Sequence, residues 1–530
     1  MRRDNADNNS EQAPSKAHPP SFFLNAIGDI IVRLEDDKNP LVLYVLSFLA
    51  AIALRDFLEF LVICNFPPAP VNWHNLIIHY NLFFISLGLA IILLIHILTK
   101  AKVSSVARIV LIGFILTPTV PIVDSLLQLV WKHDIIYDYA IPGKTEGLLK
   151  KYFLFFGDHQ GASFGMRLEI FLAMVLSSLY IYCKTSSLLR AALGAVLLYS
   201  LIFWGFGAAP FLIVGFERLA GSSLDTSERM LIDVFLLYSV SLFLVIAYYQ
   251  KPVYVKAIIK DIRLTRVLHY VLMVVIGFFI LGFPTSGERL FLPPDLVEFC
   301  FIILAVVFAG IFSAITNNLA DIKIDRITNS ERPSVTGIIP ENDYKKIAYL
   351  ALFLAMTCSL AAGYLTCFLV FCLIGNYFLY SIPPLRLKRI PFFSKGIISL
   401  NCIAMMLAGY TFAGKELRTF PVNIILFILI FFTACINFID IKDYEGDKAE
   451  GIKTLPVLLG LKWSKLVIGF FFIIAYALFP YFIGPRSVFP VSILFGVAIF
   501  FAINAKQYKE RTVFLLYLIS GEMYLLGILW

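Results

Sequence analysis

Charge is what this sequence has least of. Only 15% of its 530 residues are Asp, Glu, Lys or Arg, while 59% are hydrophobic and the mean hydropathy is +0.84. A soluble domain carries about a quarter charged residues, so this composition excludes a water-soluble fold and implies a polytopic membrane protein. Cysteine is sparse and unpatterned. The eight (64, 183, 300, 358, 367, 372, 402 and 435) include no Cys-x-x-Cys pair, which leaves them as small buried hydrophobes rather than metal or redox clips. Histidine is scarcer still: of seven, only His269 follows residue 250, which excludes a histidine-based zinc or nucleophilic site in the second half. "GKTEGLLKK" at 143–151 lacks the glycine–lysine order of a P-loop. Residues 1–20 are polar and proline-bearing, a cytoplasmic tail rather than a cleavable signal peptide. The net charge of +8 is explained by basic loops on the inner face of a membrane and calls for no nucleic acid.

What is present is a succession of apolar segments long enough to cross a bilayer. Fifteen spans are predicted. Six come first, at about 41–65, 76–98, 106–131, 164–182, 187–214 and 230–249. Nine follow, at about 266–283, 297–316, 347–362, 364–381, 394–412, 420–439, 463–482, 487–503 and 512–529. The fold class is therefore all-α, with a six-helix membrane domain (41–250) after a polar tail (1–40). A basic cytoplasmic linker (251–265) then leads into a nine-helix domain (266–530). Loop charge orients the second group. Loops after its second, fourth, sixth and eighth spans carry seventeen Lys and Arg, whereas the opposite loops carry four. The positive-inside rule puts the former in the cytoplasm, and the reading places the protein in the cell inner membrane.

Two acidic stretches emerge on that same face. "NNLADIKID" at 317–325 follows an uncharged run, and four-residue helical steps put Asn317, Asp321 and Asp325 on one side. "NFIDIKDYEGD" at 437–447 repeats the Asp-Ile-Lys triplet, and α-helical spacing groups Asn437, Asp440, Asp443 and Asp447. Clustered carboxylates repel unless a cation compensates them, and a few carboxylate oxygens suit Mg²⁺, which takes its other ligands from phosphate and water. Between them lies "LYSIPPLRLKRIPFFSK", 379–395, where Arg386, Lys388, Arg389 and Lys395 follow a proline helix stop. A charged helix end accounts for either acidic stretch alone. Two on one membrane face, with a basic stretch between them, point to a metal–diphosphate clamp, to which Arg332 adds a contact.

These residues resemble the UbiA-type intramembrane prenyltransferases. "NNLADIKIDRITNSERPSVTG" resembles that family's first Asp-rich motif, "DIKDYEGDKAEGIKTLPVLLG" its second with the trailing Gly-x-x-Thr, and "YSIPPLRLKR" the stretch between. The likeness covers about 266–530 and implies Mg²⁺-dependent transfer of a prenyl group from a polyprenyl diphosphate to a hydrophobic, often aromatic, acceptor within the bilayer. It implies that Asp321, Asp325, Asp443 and Asp447 hold the metal, and that Lys323, Arg332, Arg386 and Lys388 neutralise the diphosphate. Asn317, Asp440 and Tyr380 would stand nearest the reacting carbon and acceptor. Asn318 departs from the pattern, standing where the family often has Asp. A transporter or lipid flippase binding cations through the same carboxylates is the rival reading, and a catalytically silent relative is another. In the front half the most suggestive stretch is "GDHQGASFGMRLE", 157–169, which groups Asp158, His159, Arg167 and Glu169 at a span entrance.

Overall fold

The computed structural model describes residues 22–36, 38–63, 73–131, 147–157, 162–210, 228–280, 293–322, 325–326, 329–390, 393–449, 451–482 and 486–529. Among them every regular element is helical. Thirteen helical segments are long and apolar enough to cross a membrane, and the bent pair Pro252–Asp261 and Leu264–Phe279 makes a fourteenth when counted as one span. The chain is an integral, multi-pass membrane protein. Its surface bears this out: Leu188, Leu189 and Tyr364 are each more than three-quarters exposed. Such side chains are tolerated by lipid, which also forces every backbone group into internal hydrogen bonds and so selects helices. The described residues form two compact units, which divide between Gln250 and Lys251.

The first unit holds six of the thirteen spans, from Leu41–Glu59 to Met230–Gln250. The predicted 106–131 span is interrupted, as its prolines demand. An α-helix ends at Gly113, a 3₁₀ turn covers Phe114–Leu116, and a new helix begins at Thr119. Thr117 closes that break by donating its hydroxyl to the Phe114 carbonyl at 2.9 Å. The predicted 187–214 span likewise changes character, from an α-helix at Leu188–Ser200 to a π-helix at Leu201–Gly207. The core of the first unit is aromatic: Phe84 meets Phe114 edge-to-face, Phe83 meets Phe84, Phe206 and Phe235 in the same way, and Phe206 stacks on Phe235.

In the second unit, the stretch at 251–265 expected to be a linker is instead helix Pro252–Asp261. It meets the next helix, Leu264–Phe279, at 68°. The bend leaves Arg263 at the corner. That second helix crosses Phe393–Phe412, the most buried of the spans, with backbone touching backbone. A Cβ at Gly277 would lie 1.9 Å from the Met406 carbonyl oxygen, and one at Gly409 1.9 Å from that of Val274. Small residues are how membrane helices approach so closely, and here the approach brings Arg266 and Lys395 to one cavity. The region of the second acidic stretch is not a continuous α-helix. It passes from a π-helix (Ile428–Phe432) through a single α turn to a 3₁₀-helix (Ile436–Asp440), and resumes as α-helix only at Tyr444–Ala449. The angles inferred above from 100° per residue therefore do not hold there. Departures of this kind recur at functional sites.

Candidate active site

The two acidic stretches and the basic stretch line one cavity of about 170 Å³. The first arrives at the end of helix Pro293–Ala320, whose ladder continues past its last residue. Asp321 N–H donates to the Asn317 carbonyl and Asp325 N–H to that of Asp321, each at 2.9 Å. That continuation keeps Asn317, Asp321 and Asp325 on one face, and all three line the cavity. Asn317 accepts from the Ser381 hydroxyl at 3.0 Å. Tyr380 lines the cavity from the same helix, Tyr364–Ser381, as does Tyr377, whose hydroxyl donates to that of Tyr270 at 2.9 Å. From the second stretch come Asp440, Asp443 and Asp447. Asn437, grouped with them by α-helical spacing, is turned away instead. Its amide donates to the carbonyls of Thr433 and Ala434 in its own helix, both at 3.0 Å.

The basic residues meet the acidic ones directly. Arg386 donates to Asp321 Oδ1 at 2.6 Å and Lys388 pairs with Asp321 Oδ2. Arg386 adopts left-handed backbone (φ 42°, ψ 54°), at a cost of about 1–2 kcal/mol for a non-glycine residue, and this turn carries its side chain to Asp321 rather than to the cavity wall. Arg332 pairs with Asp325, and Lys395 with Asp440 Oδ1 at 2.6 Å. Arg389 is exposed, and Lys323 lies outside the described residues. Burial lowers the pKa of Lys388, and it raises that of Asp325 against the opposing pull of Arg332. Burial, with the Asp440 and Asp443 carboxylates beside it, pushes Asp447 up to about 7.

Asn318, the one departure in the first motif, faces away from the cavity and is 2% exposed. Its amide donates to Asp261 Oδ2 at 2.6 Å and its carbonyl accepts from Arg332 at 2.7 Å. Tyr344 donates its hydroxyl to the same Asp261 oxygen at 2.7 Å. An aspartate at 318 would set two carboxylates against each other. Here the negative charge stands on Asp261, at the end of the helix that precedes the bend, and the amide matches it.

Sequence reasoning missed Arg263 and Arg266, which line the cavity, as well as Asp261. Glu510 fixes Arg266 from outside at 2.8 Å and also pairs with Lys442. The signal present was Arg-x-x-Arg ahead of a span, which is indistinguishable from positive-inside anchoring. Lys395 stood within the basic stretch, but nothing local marks it as the partner of Asp440.

Residues 280–514 match the UbiA prenyltransferase family. The match takes in somewhat less than half of the chain and lies within the second unit. Among individual relatives, a digeranylgeranylglyceryl phosphate synthase of Methanobrevibacter smithii is 33% identical over 183 residues, which is 33% of this chain and 64% of that protein. One of Sulfolobus acidocaldarius is 27% identical, across 45% of this chain and 83% of its own length. A solved UbiA homolog from Archaeoglobus fulgidus, bound to GPP and Mg²⁺, is similar at 20% identity and TM-score 0.42. That likeness covers 51% of this chain and 98% of the other.

The donor set bears on whether a divalent metal fits. Among the described residues no three His, Cys, Asp or Glu side chains converge into a protein-only cage. Among the described residues five carboxylates and five cations line the cavity, so these bring no surplus positive charge with which to receive a diphosphate. One oxygen, Asp440 Oδ2, is buried without a hydrogen bond. A metal held by one or two carboxylates and completed by phosphate oxygens suits this set, and that is how Mg²⁺ is commonly bound.

Proposed function

We propose that the second unit is a prenyltransferase acting inside the membrane. It takes a polyprenyl diphosphate, transfers the prenyl group to a lipid-soluble acceptor and releases diphosphate. The observation that carries this reading is the meeting of both Asp-rich stretches with Arg332, Lys388 and Lys395 around one cavity at the end of membrane helices. In this reading Asp321, Asp325, Asp443 and Asp447 would hold Mg²⁺ ions, each through one or two carboxylates, and the metal would supply charge neutralisation at the phosphate oxygens. Lys388, Arg386 and Arg332 exchange their carboxylate partners for phosphate oxygens and hold the leaving group. Their attraction grows as charge concentrates on it, so they favour the transition state over bound substrate. Tyr380, with Tyr377 and Tyr270 near it, offers ring faces that stabilise the allylic cation. The enclosing helices keep water from that cation. Asn317 and Asp440 stand at the acceptor side, where Lys395 keeps Asp440 oriented.

The relatives' name specifies a product in which glyceryl phosphate carries two geranylgeranyl groups. It supports a hydroxyl of a prenylated glyceryl phosphate as the acceptor here. We infer further that the site opens to the cytoplasm, on the strength of the loop charges.

The test uses the purified full-length chain and radiolabelled geranylgeranyl diphosphate. Asp443→Asn and Asp321→Asn should each lower Mg²⁺-dependent release of diphosphate at least a hundredfold while the protein stays folded. Undiminished release in folded variants would sink the assignment.

A further inference from the structure

The first unit holds a partly open cavity of about 430 Å³, larger than the one just described. Its walls are aliphatic and aromatic, yet one end carries charge. Arg55 of helix Leu41–Ile63 is 5% exposed, and its guanidinium lies over the Phe84 ring, 4.8 Å from the centroid. It donates through Nη1 to Glu169 Oε2 at 3.2 Å, and its Nε is 3.5 Å from Glu59 Oε2. Glu169 belongs to the 157–169 stretch singled out in the sequence, but its partner is Arg55, 114 residues away. Arg167 donates instead to the Ala162 carbonyl at 3.0 Å, and Asp158 and His159 lie outside the described residues. A buried charge within a membrane span is expensive and is a functional candidate by default.

The lining of this slot follows one helix for much of its length. The slot is lined by Met166 beside the charged end and by Tyr180 at the other, both on helix Phe164–Thr185. Fourteen residues of α-helix span about 21 Å. Helix Phe22–Glu35 covers the slot with Ile27, Ile31 and Leu34. It is tied down at its end, where Tyr44 donates to the Leu34 carbonyl at 3.0 Å and Tyr180 to Glu35 at 2.7 Å.

We propose that this slot binds one single-chain lipid alcohol, its chain along Phe164–Thr185 and its hydroxyl against Arg55 and Glu169. Length and apolar lining select a single extended chain. Charge selects the head group: Arg55 already faces two carboxylates, so a phosphate would add negative charge to a negative end, whereas a hydroxyl can donate to Glu169 and accept from Arg55.

The test uses the full-length protein in phosphatidylcholine nanodiscs with a photoreactive analogue of geranylgeraniol, and in parallel its monophosphate. The alcohol should label residues of 73–99 and 164–185 saturably, and the phosphate at least tenfold less. Ala173→Phe, which fills the slot, should reduce labelling by the alcohol at least tenfold and leave prenyl transfer unchanged. Leu87→Phe supplies the same readout should Ala173→Phe fail to fold. Glu169→Gln removes one carboxylate and should raise phosphate labelling relative to the alcohol several-fold. Equal labelling by both probes, or labelling that neither filled variant diminishes, would overturn the proposal. Loss of labelling in excess phosphatidylcholine would do the same, marking the slot as an ordinary lipid crevice.

Discussion

Two cavities in this molecule gather buried charge, and they balance it in opposite ways. In the second unit, among the described residues, five cations and five carboxylates from distant segments line one space, and three of each are paired with one another. In the first, Arg55 stands between Glu59 and Glu169 at the end of an otherwise apolar slot. Both obey the rule that a buried charge needs a partner. Pairing alone therefore does not reveal what a site takes. The surplus does: matched charges that separate without leaving the cavity can admit a phosphate and its metal together, whereas an acidic surplus around a single Arg turns a phosphate away.

The largest expected effect comes from breaking one pair in the second unit. Lys395 is 3% and Asp440 8% exposed, so Lys395→Met leaves a carboxylate buried alone, at a cost of about 3–5 kcal/mol. A fall of many degrees in melting temperature, together with loss of transfer, is expected. Lys395→Met combined with Asp440→Asn should recover most of the stability and none of the transfer. Recovery of both would show that the pair is structural. The same double substitution should leave lipid-alcohol labelling in the first unit as it was, which keeps the two cavities separate in function.

A smaller effect separates the sites by ligand. Mg²⁺ with inorganic diphosphate should stabilise the full chain by about 2.7 kcal/mol at a hundred times the dissociation constant. Neither should do so alone to the same extent, because the cavity's charges cancel without the pair. Asp443→Asn or Asp447→Asn should remove the joint effect. A thermal shift of equal size from diphosphate alone would mean that Lys388, Arg332 and their neighbours suffice without metal.

How much of this could be read from sequence depended on distance along the chain. Asp321 and Asp325 were legible because a helical step of four is local, and the repeated Asp-Ile-Lys marked its counterpart. Even so, the second stretch defeated the geometry. Nothing in "NFIDIKD" (no glycine, no proline) announces a 3₁₀ turn between π- and α-helix, and Asn437 was grouped with a face that it does not share. Pairing was illegible throughout. Arg263 and Arg266 looked like membrane anchors because a basic flank has the same composition whether it touches lipid phosphate or lines a cavity. The bond between Arg55 and Glu169 joins helices that no local periodicity relates, and it ties Glu169 of the 157–169 stretch to a distant helix rather than to its neighbours at the span entrance.

The smallest effect tests the departure at Asn318, which stands behind the active-site cavity and holds Arg332. Asn318→Asp should set a carboxylate against Asp261 and draw Arg332 toward itself, weakening its hold on Asp325. Asp261→Asn should leave the Tyr344 hydroxyl and the Asn318 amide with a poorer acceptor. A lost charge-assisted hydrogen bond is worth about 1.5–3 kcal/mol, so each single variant should raise KM for the prenyl diphosphate roughly tenfold with kcat less affected. The exchange, Asp261→Asn with Asn318→Asp, restores one carboxylate and one amide and should recover KM beyond the product of the two single effects. An exchange no better than that product would mean that the network only packs the helix ends, and that Arg332 is aimed by Asp325 alone.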